Sequence, residues 1–198
     1  AEDLSIEEVE TVEQRAANYL EQIRSVQPHG PYRIGGVSFG GLLAFEIAQQ
    51  LREAGEEVEL LVIIDTLMRH SIRLPVHRRV LNFGTTWLRG LLETLRRSEP
   101  LDEATRLWDI RSQIHIDTAA RYTPATYSGE VMLVRAMEQY AGSGFRADPL
   151  LGWGELLQGR IGVIDVPGTH LGCLQDPNVQ VLTDRLNARL RELEGGNG

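Results

Sequence analysis

Residues 32–66 read YRIGGVSFGGLLAFEIAQQLREAGEEVELLVIIDT, and the order of patterns within them decides the fold. The apolar run Tyr32–Val37 suits a short buried strand. Leu42–Ala54 is apolar nearly all round, as in a buried helix, and Gly55 is placed to cap its C-terminus. Val58–Ile64 is a continuous β-branched run of the kind found in a parallel strand covered on both faces. Strand, helix and strand make a βαβ unit, with Ser38 at the first strand-to-helix junction. There Gly36-Val-Ser-Phe-Gly40 has the G-x-S-x-G form of a nucleophile elbow. The need is steric: the serine takes a strained conformation that lifts its hydroxyl above the sheet edge, and the glycines let strand and helix approach. Five residues with free positions arise by chance, so the weight lies in the strand–turn–helix context. Ser38 is the candidate nucleophile, against the plainer reading of a polar residue in a glycine-rich turn.

A serine hydroxyl needs a base to take its proton, and that base needs an orienting carboxylate. Of the five histidines, His170 is best placed, in the loop Pro167–Gly172 after a strand expected at 160–166. Loops at the carboxyl ends of strands are where α/β folds build sites. His29 sits in a turn before the first strand, at the opposite end. His70, His77 and His115 fall among helical stretches, where a solvated face is expected. Asp65 ends the buried run VELLVII beside the elbow strand and is the first candidate for the acid, its plain reading being a cap or turn residue. Glu138 and Asp148, after a strand expected at 130–135, are rivals. Asp165 is weaker, since strand alternation alone could turn it outward. Cys173 lacks an elbow of its own and reads as a small buried residue.

Elsewhere, Ser5-Ile-Glu-Glu8 has the form of a capping box. It opens a helix with apolar residues at Val9, Val12, Ala16, Tyr19, Leu20 and Ile23, ended by Pro28 and Gly30-Pro31. Residues 66–127 hold amphipathic helical stretches around Val76–Arg97 and Leu101–Ala120. Asp176 and Pro177 read as the N-cap and first position of a last helix, with Val179, Leu182, Leu186, Leu190 and Leu193 on one face. With 42% hydrophobic and 24% charged residues among 198, the composition is that of a single globular domain, not a disordered chain. The net charge of −8 argues against nonspecific nucleic-acid binding. The apolar runs are too short to span a bilayer. The lone Cys173 and the acidic first residues favour a cytoplasmic setting.

The stretch GPYRIGGVSFGGLLAFEIAQQLREAGEEVELLVIIDT closely resembles the type I thioesterase domains that end nonribosomal peptide and polyketide synthases. So do the upstream SIEEVETVEQRAANYLEQIRSVQPHGPY and the C-terminal GRIGVIDVPGTHLGCLQDPNVQVLTDRL. The resemblance implies an α/β-hydrolase fold over residues 1–198, a mostly parallel sheet with helices on both faces. It implies a helical lid from about 67 to 127 over an acyl-binding cleft. It puts the acid after the strand that succeeds the elbow, which raises Asp65 over Glu138 and Asp148, and it puts the histidine at His170. The Phe39 amide would be one of two oxyanion donors. It further implies that the phosphopantetheine arm of an acyl or peptidyl carrier protein delivers a peptide or polyketide chain, released by hydrolysis or macrocyclisation without a metal or redox cofactor of the domain's own.

The family pattern begins several strands earlier than Ser5. The expectation is therefore an N-terminally truncated domain, lacking the loop of the second oxyanion donor. The Tyr32–Val37 edge would be left for a complementary N-terminal segment or a second copy to cover. Two further readings stay open: a generic carboxylesterase of the same fold, and a noncatalytic remnant that only docks a carrier protein.

Overall fold

The computed structural model describes residues 10–68, 103–138 and 148–195. The segments Ser5–Glu8 and Val76–Arg97, with His70 and His77, lie outside them. Helix α1, Val12–Val26, is opened instead by Thr11. The Thr11 hydroxyl accepts from the Gln14 amide at 3.2 Å, and the Gln14 side chain accepts from the Thr11 amide at 2.9 Å. That reciprocal box satisfies two of the donors a helix start leaves unpaired. Val12, Ala16 and Leu20 are buried at helical spacing. Tyr19, expected on the same face, is 46% exposed, because it lies one step round the helix from that stripe.

Strand β1 (Tyr32–Val37), helix α2 (Phe39–Glu53) and strand β2 (Val58–Ile64) come next, as the sequence predicts. Helix α2 ends in a double closure. Gly55, at φ 77°, donates to the Arg52 carbonyl at 3.0 Å, and Glu56 donates to the Leu51 carbonyl at 2.9 Å. Helix α3 (Glu103–Arg121) precedes strands β3 (Val131–Ala136) and β4 (Ile161–Val166), each beginning one residue later than the apolar pattern suggests. Helix α4 spans Asn178–Gly195. Asp176 is not its cap, a correction to the sequence reading. The chain still turns at Asp176-Pro177, and the helix is entered through backbone carbonyls, with Gln175 accepting from the Val179 amide at 2.9 Å.

Among the described residues the four strands form one parallel sheet in the order β1-β2-β3-β4. β1 and β4 are its edges. The continuous apolar character of β2 reflects burial on both sides. Leu61 and Ile63 join α1 and α2 in one cluster, while Leu60 and Val62 join Cys173 and α4 in the other. On α4 four of the five anticipated residues meet the second cluster: Leu182 is buried, and Leu186, Leu190 and Leu193 pack against it, while Val179, in the first turn, is not part of it. Each fully buried aliphatic side chain contributes roughly 1.5–3 kcal/mol, so these two layers hold the sheet in place.

One polar group interrupts the first layer. Glu46, buried in mid-α2, accepts from the Tyr122 hydroxyl at 2.5 Å and from the Gln50 amide at 2.8 Å. Tyr122 comes directly after α3, so this network ties the end of that helix to the core. Burial and the Glu46 carboxylate push the Tyr122 phenol well above its ordinary pKa, so it donates at every physiological pH. Tyr122→Phe removes that donor from a buried carboxylate. It should lower the unfolding free energy by about 1–3 kcal/mol in urea titration, with the slope unchanged.

Candidate active site

The parallel register aligns Val37 with Ile64, Ile64 with Val134 and Val134 with Ile164. The loop leaving each strand therefore emerges at one edge of the sheet. Ser38 comes directly after β1 at φ 54° and ψ −126°, a left-handed conformation that costs a side-chain-bearing residue about 1–3 kcal/mol. Its amide donates to the Ile64 carbonyl at 3.0 Å, and its carbonyl accepts from Gly41 at 2.9 Å. The Thr66 hydroxyl donates to the same carbonyl at 2.8 Å. The glycines are sterically required: a Cβ on Gly36 would stand 2.0 Å from the Gly40 carbonyl oxygen, and one on Gly41 would stand 2.1 Å from Thr66 Oγ1.

Asp65 comes directly after β2, also at positive φ (45°). Its side chain is fully buried. Oδ1 accepts from the Ala136 amide at 3.1 Å, and Oδ2 lies 2.7 Å from His170 Nδ1. A carboxylate can only accept, so the geometry puts the imidazole proton on Nδ1 and leaves Nε2 as a base. The His170 side chain is 32% exposed. Its loop is held from below by the Glu138 amide, which donates to the Gly168 carbonyl at 3.0 Å.

Two of the rival carboxylates are engaged elsewhere. Asp165 pairs with Arg135, whose Nε and Nη2 donate at 2.7 and 2.8 Å. Asp148 closes its own turn by accepting from the Leu150 amide at 2.8 Å. Glu138 meets the histidine loop through its backbone. His29 pairs with Glu56 at 3.2 Å, before β1 and away from the site. His115 corrects the sequence reading. It does not lie on a solvated face but stacks on Phe39, with ring centroids 4.3 Å apart, because α3 crosses the mouth of the elbow. Cys173 is buried and its thiol reaches the His170 carbonyl at 3.3 Å.

Two residues of the site escaped the sequence reading. Thr66 braces the elbow, and Trp153 braces Thr66, its indole N–H donating to the Thr66 carbonyl at 2.7 Å. A buried tryptophan requires an acceptor for its N–H, but nothing in the sequence pairs positions 87 residues apart. Ser38, Phe39, Asp65 and His170 open onto a cleft of about 870 Å³. Leu43, Leu67, Ile116 and Ala119 supply apolar wall, and Arg15, Tyr19 and His115 supply polar groups. Among the described residues, no three His, Cys, Asp or Glu side chains are grouped to hold a metal ion.

A strained elbow serine, a histidine and a buried carboxylate at the ends of parallel strands define a serine hydrolase of the α/β-hydrolase type. The model of the thioesterase domain family matches residues 2–189, and the chain belongs to that family. It is a thioesterase domain of the kind carried by nonribosomal peptide and polyketide synthases. Malpibaldin synthetase of Mortierella alpina is 27% identical over 184 residues, covering 91% of this chain and 3% of that protein. Polyketide synthase PksR of Bacillus subtilis is 48% identical over 62 residues, covering 31% of this chain and 2% of that protein. The chain thus spans a small fraction of the curated relatives it matches. Among solved structures, the NocB thioesterase domain in covalent complex with a fluorophosphonate nocardicin G analog superposes with a TM-score of 0.68. It is 26% identical, and the match covers 94% of this chain and 78% of that one.

Burial, and secondarily the Asp65 charge, push the Cys173 thiol above its ordinary pKa. The thiolate is the reactive form, so the native thiol should be inert. A thiol-reactive disulfide reagent at pH 7.5 should report no reaction with folded protein, and stoichiometric reaction of the single cysteine after unfolding in urea.

Proposed function

We propose that Ser38, His170 and Asp65 form a catalytic triad that releases a peptide or polyketide acyl chain from a carrier protein. The observation that carries this reading is the 2.7 Å contact between His170 and the buried Asp65, on the cleft that also exposes the elbow serine. The phosphopantetheine thioester of the carrier enters the cleft. His170 Nε2 takes the Ser38 proton as Oγ attacks the thioester carbonyl, and the Phe39 amide, at the start of α2, donates to the developing oxyanion. Collapse returns the proton to the departing thiol and leaves the acyl chain esterified to Ser38. Water, or an internal amine or hydroxyl of the chain, then attacks that ester with His170 again as base, giving an acid or a macrocycle. Asp65 holds the imidazole tautomer and stabilises the imidazolium throughout. These steps draw on no metal or redox cofactor.

In this reading the chain is one thioesterase domain over residues 1–198, with helix α3 in the lid expected at about 67–127, of which residues 69–102 lie outside the described residues. Helix α3 brings His115, Ile116 and Ala119 to the cleft wall. Carrier-protein delivery draws support from the relatives, which are multidomain synthases. A cytoplasmic site of action fits the lone reduced cysteine.

A fluorophosphonate should add one adduct, located at Ser38 by peptide mass spectrometry, and Ser38→Ala should take up none. Adduct persisting in Ser38→Ala would overturn the nucleophile. With a carrier-bound acyl thioester, Asp65→Asn should lower kcat about 10³–10⁴-fold through loss of the Nδ1–H tautomer, with stability little changed. Faster turnover of simple oxygen esters than of carrier-bound thioesters would point to a general esterase.

A further inference from the structure

Thr66, directly after Asp65, spends its side chain on the elbow and not on the acid. It is 5% exposed, and a hydroxyl largely shielded from water has to find its acceptor within the protein. Two carbonyl oxygens lie in reach, that of Ser38 at 2.8 Å and that of Ile64 at 3.1 Å. The Ile64 oxygen already accepts from the Ser38 amide at 3.0 Å. A hydroxyl has one proton to give, and the nearer Ser38 oxygen takes it. Glycine at 41 makes room for that approach, since a Cβ there would stand 2.1 Å from Thr66 Oγ1. On its other side Thr66 is fixed by the Trp153 indole, which donates to its carbonyl at 2.7 Å.

The Ser38 carbonyl is one end of the Ser38–Phe39 peptide, and the Phe39 N–H is the other. This peptide is trans, so its planar C=O and N–H point in opposite directions and cannot turn independently. Phe39 is the first residue of α2, in the turn whose amides have no acceptor within the helix. We propose that Thr66 is a positioning residue for the oxyanion: by holding the Ser38 carbonyl, it aims the Phe39 N–H at the point where negative charge develops. This rests on the thioesterase reading above, in which that amide is an oxyanion donor. Two donors converge on the carbonyl, the Gly41 amide at 2.9 Å and the Thr66 hydroxyl. The first ties the peptide only to its own helix. The second ties it to the strand end that carries Asp65. The hydroxyl also polarises the peptide, because a carbonyl that accepts makes the N–H of its own plane a stronger donor. Oxyanion donor and acid thus share one mount, the end of β2.

The test compares Thr66→Val, Thr66→Ala and Thr66→Ser with the wild-type chain on the carrier-bound acyl thioester. Loss of a complete oxyanion donor lowers kcat about 10²–10³-fold, and a donor present but misaimed should cost less. Thr66→Val and Thr66→Ala should each lower kcat about tenfold, with KM within about threefold of wild type. The rate constant for fluorophosphonate labelling of Ser38 should fall by a similar factor, because that reaction builds charge at the same point. Thr66→Ser keeps the hydroxyl and should bring both rates back to within about threefold of wild type. Thr66→Ala removes the hydroxyl without setting a methyl group against two carbonyls, and decides alone if Thr66→Val fails to fold. The pH of half-maximal kcat/KM should not move, since His170 and Asp65 keep their contact. A shift would assign the effect to Asp65 next door and overturn the proposal. Unchanged rates in the hydroxyl-free variants, a loss that Thr66→Ser does not restore, or a loss confined to KM or to stability in urea would overturn it too. Each of these leaves the thioesterase reading intact. A wild type that labels at Ser38 but cleaves no carrier-bound thioester would overturn that reading and the proposal together.

Discussion

Parallel strands that end in register constrain where every polar group of the candidate site can stand. Because β1, β2, β3 and β4 are paired side by side in one direction, each strand delivers its next residue to the same edge. The ladder even runs past the strands: Ser38 donates to Ile64, and Asp65 donates to Val134. The elbow serine and the buried carboxylate are thus hung on neighbouring strand ends by backbone hydrogen bonds, which side-chain rotation cannot loosen. His170 arrives from a loop beyond the fourth strand, and its position depends on the Asp65 carboxylate that receives it. A one-residue slip of β2 against β1 would turn Asp65 to the other face and break the site outright.

Holding two strained residues side by side requires support from outside the sheet. Ser38 and Asp65 both carry positive φ without being glycine, a conformation that persists only where the surroundings over-determine it. Thr66 locks onto the Ser38 carbonyl, Trp153 locks onto Thr66, and the Ala136 amide takes the second oxygen of Asp65. The brace is layered: a hydroxyl steadies the elbow, an indole steadies the hydroxyl's residue, and the packing of Trp153 against Phe45 returns the load to α2. The strain at Ser38 and Asp65 is offset by burial well away from their side chains.

Much of this was legible in the residues. The G-x-S-x-G pentad between an apolar run and a helix apolar nearly all round located the elbow, and the bounds of β1 and β2 come from their patterns alone. Asp65 stood out because an acidic residue directly ends a run that must be buried on both faces. Setting Glu138 and Asp148 below it took the family resemblance, since both lie beyond the end of a strand of similar character, whereas strand alternation already weakened Asp165. The structure separates them by geometry: Arg135 occupies Asp165, a tight turn occupies Asp148, and only Asp65 reaches the imidazole. Helix starts were less legible. A capping box needs only a hydroxyl and an acid or amide three residues on, and Thr11–Gln14 met that rule as well as Ser5–Glu8 did.

The sequence by itself determined the alternation of strand and helix, the serine at its first junction, and the candidates for base and acid, because periodicity and turn chemistry are local properties. Tertiary structure alone decided which carboxylate meets His170, that Thr66 and Trp153 brace the elbow, and that His115 and Arg15 face the cleft. Those facts depend on side chains brought together from positions far apart in the chain. Distance in space is set by how helices pack on a twisted sheet, and no local pattern encodes it.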